Sequence, residues 1–89
     1  MTDVKLLSEP TNYAVVHLPG RAYPGVVFQG DSLNILINEL RGASIESDAE
    51  ERSITLGAVI ERLEAVQKGY EAVLDREGID TPYTRRSGS

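Results

Sequence analysis

The chain has 89 residues and a mass of 9.7 kDa, enough for one domain that buries about 60 to 65% of the surface its unfolded state exposes. Hydrophobic and charged fractions of 40% and 26% are those of a globular protein and exclude wholesale disorder, while the absence of cysteine excludes disulfide scaffolds, thiolate metal sites and thiol nucleophiles together. A formal charge of −5 with a pI near 4.7 argues against nucleic-acid binding, which needs a cationic stripe to displace counterions from phosphate, and suits a basic partner.

Val4-Lys5-Leu6-Leu7 predicts a short first strand, stopped by the breaker cluster Ser8-Glu9-Pro10-Thr11-Asn12. The start has no basic segment leading into an apolar core, and no later run approaches the roughly 20 apolar residues of a membrane span, so the expected address is cytoplasmic. Tyr13-Ala14-Val15-Val16-His17-Leu18, rich in aromatic and β-branched residues, predicts a second strand. Two Pro-Gly pairs follow in Pro19-Gly20-Arg21-Ala22-Tyr23-Pro24-Gly25. Each favours a type II turn, with proline fixing φ and glycine taking φ > 0. Val26-Val27-Phe28-Gln29 is the third strand, closed by Gly30.

Asp31 or Ser32 can cap a first helix, since a short oxygen-bearing side chain accepts from free backbone N–H groups in the first turn. Leu33, Leu36, Ile37 and Leu40 recur at helical spacing with Ile35 beside them, and Gly42 is the expected stop. A second helix is predicted over residues 48–77, roughly 45 Å long. Ser47-Asp48-Ala49-Glu50 fits a capping box, acids at 48, 50 and 51 suit the positive end of the helix dipole, and Gly78 with Ile79 fits a Schellman ending on Leu74. Ser53-Ile54-Thr55-Leu56, rich in β-branched residues, also fits a short strand or a fresh helix cap. Leu56, Val59, Leu63, Val66, Tyr70 and Val73 alternate steps of three and four, which serves a helix laid across a sheet or a coiled-coil seam with a second copy.

The charge is unevenly spread. Residues 1–41 carry a net of −1, residues 42–80 a net of −6, and Arg85 and Arg86 add +2. The expected architecture is α+β: a three-stranded antiparallel sheet followed by two helices, the second long and acidic. One domain is expected over residues 1–80, with a flexible tail over 81–89.

The candidate chemistry is sparse. His17 has no second histidine for a zinc site and no nucleophile at a recognisable spacing, so it reads as structural. The acids Glu46, Asp48, Glu50 and Glu51 lack the calcium-loop pattern and read as helix capping or as a surface for a cationic protein. Gly20 and Gly25 supply no phosphate-binding motif, which leaves a hairpin connection or a rigid loop presenting Arg21 and Tyr23, residue types enriched at interface hot spots. No cofactor is expected, and no enzymatic activity.

Pro24-Gly25-Val26-Val27-Phe28-Gln29-Gly30-Asp31-Ser32-Leu33 resembles the strand-to-helix junction of HicB-type antitoxin domains, and the order of elements over residues 13–40 is similar in outline. After Leu33 the likeness ends, because Asn34-Ile35-Leu36-Ile37 is more apolar than that family and an acidic helix stands where a DNA-binding segment is often appended. The whole chain also resembles small uncharacterised bacterial proteins of a domain family of unknown function. The net charge, the absence of a catalytic set and the local resemblance together lead to the expectation of a non-enzymatic protein-binding module, an antitoxin or immunity-type neutraliser that occludes a basic toxin through the loop residues Arg21 and Tyr23 and the acids Glu46, Asp48, Glu50 and Glu51. The alternatives are a structural or regulatory homo-oligomer, such as a homodimer, paired through the second helix, and a small ligand-binding protein with an anion near Tyr13, His17, Arg21 and Tyr23.

Overall fold

Three strands precede two helices in the computed structural model, which describes residues 4–7 and 13–85. They are β1 (Lys5–Leu6), β2 (Tyr13–His17), β3 (Gly25–Phe28), α1 (Gly30–Ile45) and α2 (Ala49–Glu77). The breaker cluster at 8–12 and the last tail residues, 86–89, lie outside the described residues. The sheet is antiparallel in the order β1-β2-β3. Tyr13 pairs with Phe28 and Val15 with Val26, and because side chains alternate across a strand these four share the face that meets α2. Leu7 extends the first pairing, its N–H donating to the Val15 carbonyl at 2.8 Å.

The first Pro-Gly pair forms the expected turn: Gly20 has φ 78° and the Arg21 N–H reaches the Leu18 carbonyl at 3.3 Å. The second does not. Gly25 has no positive φ and pairs with Val16 in the ladder, so β3 begins one residue early, and Pro24 is buried as the acceptor of a tyrosine hydroxyl.

Helix α1 starts without the expected side-chain cap. Gln29 is the capping residue and makes no such bond, while the Asp31 carboxylate folds onto its neighbour's N–H at Ser32, 2.8 Å away. Nor does Gly42 stop the helix. The chain continues to Ile45 because Ala43 is buried between the helices, a gain that outweighs the roughly 1 kcal/mol helix penalty of the glycine. Across the turn of 46–48, Asp48 caps α2 instead of Ser47, accepting from the N–H groups of Glu50 and Glu51 at 2.9 and 3.1 Å. Ser53-Ile54-Thr55-Leu56 is helical throughout, since this cap lies upstream of it. At the far end Gly78 is left-handed at φ 71°, and the Ile79 N–H bonds the Leu74 carbonyl at 2.9 Å, the predicted Schellman pattern.

The core gathers Leu7, Val15, Tyr70, Val73 and Leu74, with Tyr13, Val26 and Ile79 packed around it. It is therefore built by the last third of α2 on the sheet. The rest of α2 runs beyond the sheet with α1 antiparallel beside it, sealed by Val59 and Ala43 and tied by an ion pair between Arg62 and Glu39. Helix α1 is consequently held chiefly by α2, not laid on the sheet. The molecule measures 50 × 32 × 20 Å.

Candidate protein-binding groove

Where α2 leaves the sheet, its apolar stripe and the helix-facing residues of β3 stand apart and leave an open groove of about 530 Å³. Val26 and Phe28 form one wall, and Ile60, Leu63, Val66 and Tyr70 form the other. The floor is apolar, and Glu64 and Gln67 are the polar lining groups on α2. Beyond the first wall lies the outer edge of β3, which has no further strand among the described residues.

The C-terminal segment closes one end. Tyr83 stacks on Tyr70 with ring centroids 6.5 Å apart and planes inclined by 22°, and its hydroxyl donates to a Glu71 carboxylate oxygen at 2.9 Å. Arg85 then forks onto Asp75 at 2.7 and 3.1 Å. Residues 83–85 thus lie against α2, within the segment read from sequence as the beginning of a tail. Burial, and then the neighbouring Glu71 carboxylate, push the Tyr83 phenol above its ordinary value. The hydrogen bond from Arg85 holds Asp75 below the usual carboxylate range, and Asp75 raises Arg85 in return.

The loop carrying Arg21 and Tyr23 borders this groove through Pro24. Two bonds fix it. Tyr70 donates its hydroxyl to the Pro24 carbonyl at 2.7 Å, and burial raises the Tyr70 pKa, which keeps that proton in place. His17 Nε2 lies 2.8 Å from the Arg21 carbonyl; a carbonyl can only accept, so the imidazole carries its hydrogen on Nε2. Arg21 and Tyr23 themselves are exposed.

Glu46, Asp48, Glu50 and Glu51 occupy the opposite end of the molecule, about 30 Å along α2 from Tyr70. Glu46 accepts from the Asp48 N–H at 3.1 Å, and Arg52 donates to the Glu46 carbonyl at 2.8 Å, so two of these acids shape the interhelical turn. The structure brings Arg21 and Tyr23 together and the four acids together, but not the two sets. The anion quartet is likewise divided. Tyr13 and His17 stand at opposite ends of β2, about 13 Å apart, and the Tyr13 ring faces α2. Among the described residues no group of three His, Cys, Asp or Glu side chains is placed to hold a metal, and no helix is long and apolar enough to cross a membrane.

Sequence reasoning placed Val66 and Tyr70 in a stripe without showing which part of it the sheet leaves uncovered. Tyr83 carried no signal, lying one residue past Pro82 in a polar end. Residues 1–83 match a family of unknown function, DUF6959, and the chain belongs to it. No curated protein and no solved structure matches the chain.

Proposed function

We propose that this member of a family without an assigned function is a non-enzymatic protein-binding module that seats an apolar segment of a partner protein in the groove between β3 and α2. The observation that carries the reading is the groove itself: an apolar floor beside a β3 edge that no further strand covers among the described residues is the setting in which an extended peptide gains main-chain bonds from the edge and side-chain contacts from the floor. The fixed Arg21 and Tyr23 loop beside it offers hot-spot residue types at low entropic cost. Glu64 on the groove lining, with the net −5 of the chain, favours a basic partner by steering. Together with the HicB-type likeness of residues 24–33, this supports a neutraliser of the antitoxin or immunity type, blocking a basic toxin by occupancy.

A photo-crosslinking side chain at Gln67, on the groove rim, tests this against one at Glu50 in the acidic turn, with the product of a neighbouring gene as partner. Crosslinking at 67 and not at 50 is expected. Crosslinking at 50 alone moves the site to the acidic turn, and none at either position overturns the reading.

A further inference from the structure

The groove between β3 and α2 ends at Tyr83, and the same residue walls a smaller cleft of about 160 Å³ on the next face of α2. Glu64 and Gln67 line both, while Lys68, Glu71, Thr84 and Arg85 complete the cleft. Tyr83 thus stands as a partition between an apolar groove and an ionic one. We propose, on the reading that the groove is the binding site, that residues 82–85 are a displaceable strap. Its Tyr83 and Arg85 fill the subsites that a partner segment takes with an aromatic residue and, two positions later, an arginine or lysine.

The fold closes without the strap. After α2 it is Ile79 that packs on the core, and neither Tyr83 nor Arg85 belongs to that core. The groups that hold the strap lie at the surface. Tyr83 is 37% exposed, and the side chains of Arg85 and Asp75 are 38% and 63% exposed, so theirs is an ion pair that water and salt weaken. Beneath the strap Tyr70 is buried, with its hydroxyl tied to the Pro24 carbonyl. Lifting Tyr83 uncovers one face of that ring and leaves the bond to Pro24 in place.

The contacts of the strap define what replaces it. The Tyr83 ring stacks on Tyr70 at a centroid distance of 6.5 Å, within the range where ring pairs attract beyond their burial. Arg85 reaches both carboxylate oxygens of Asp75, at 2.7 and 3.1 Å, the forked geometry that suits a guanidinium. When the strap lifts, Glu71 and Asp75 lose these two donors, which leaves two carboxylates beside an uncovered ring. A segment carrying an aromatic residue and a nearby cation satisfies both, whereas a purely apolar segment satisfies the ring alone. From Ile60 to Asp75 the joined site runs about 22 Å along α2, the length of about seven extended residues.

The probe is a fluorescent, amidated peptide with the sequence of residues 80–85, titrated by anisotropy into the full-length parent and into the full-length Tyr83→Ser/Arg85→Ser variant. Helical circular dichroism checks that the variant is folded; should it not be, Arg85→Glu, which sets the strap against Asp75, takes its place. Only the open fraction of the parent can bind, so the variant is expected to bind at least about tenfold more tightly. The same peptide with Tyr83→Leu is expected to bind the variant about fivefold more weakly, through loss of the ring pair. Equal affinity for parent and variant, equal affinity for the two peptides, or no binding to the variant below about 1 mM overturns the proposal. Partner crosslinking at Gln67 is measured without the peptide, so failure of the strap and failure of the groove reading are distinguishable.

Discussion

Gly69 lies deep inside α2, where glycine costs about 1 kcal/mol relative to alanine, and the structure shows what that cost permits. A Cβ at this position would fall on the hydroxyl of Tyr13, inside any permitted contact, with the ring carbon Cζ behind it at 3.4 Å. The bare backbone lets the β2 tyrosine lie across the helix. Gly69→Ala should therefore recover about 1 kcal/mol of helix propensity and lose about 1 to 3 kcal/mol as Tyr13 is driven off its packing on the core. The net is a loss of about 0 to 2 kcal/mol. In a Tyr13→Phe background the obstructing oxygen is gone and Cζ stands at ordinary contact, so the same substitution should stabilise by about 0.5 to 1 kcal/mol. The four proteins of the cycle, unfolded in urea and followed by helical circular dichroism, should show a coupling of about 1 to 3 kcal/mol. The chain has no tryptophan, which makes dichroism the natural probe. Additivity within about 0.5 kcal/mol, or a parent that alanine stabilises fully, would refute the contact as the reason for the glycine.

Two further outcomes follow from bonds along α2. Tyr70→Phe removes the 2.7 Å bond to Pro24, which should cost about 1 to 3 kcal/mol and speed amide exchange at Ala22 and Tyr23; unchanged exchange would mean that the bond does not hold the loop. Asp75 titrates below the ordinary carboxylate range because of Arg85. A carboxyl lowered in the folded state contributes stability above its unfolded pKa and loses it as pH falls through the folded value. Arg85→Ala should therefore raise the Asp75 titration seen by carboxyl NMR and remove that acid-side dependence, and a titration that does not move would show that the pair is not formed in solution.

The three antiparallel strands, the two helices and the Schellman ending were legible because each rests on local chemistry: β-branched runs between breakers, apolar spacing, and a glycine followed by an apolar residue. The errors also have local causes. Ser47 and Asp48 are adjacent and both able to cap, and only the path of the interhelical turn decides for Asp48. Gly42 reads as a stop until Ala43 is known to be buried. The groove was illegible for a different reason. Its walls come from β3 and from residues more than thirty positions later in α2, and one stripe holds both the residues that fill the core and those that the sheet fails to reach.

That division of one stripe ties the stability of the chain to the proposed groove. Tyr70, Val73 and Leu74 are covered by the sheet, and Val59 by α1, while Leu56, Ile60 and Leu63 stay in water because α2 outruns the three short strands that fold onto it. Shortening the hairpin by about two turns would remove Leu40, Ala43 and Ile45 from α1 and Ile54 from α2 and leave the principal core whole, since that core draws on no residue of α1. The projecting half of the hairpin therefore adds little to the principal core. The exposed apolar side chains Leu33, Ile35, Ile37, Leu40, Ile45, Ile54 and Leu56, with Ile60 and Leu63 of the groove wall, are the surface that this overhang leaves in water.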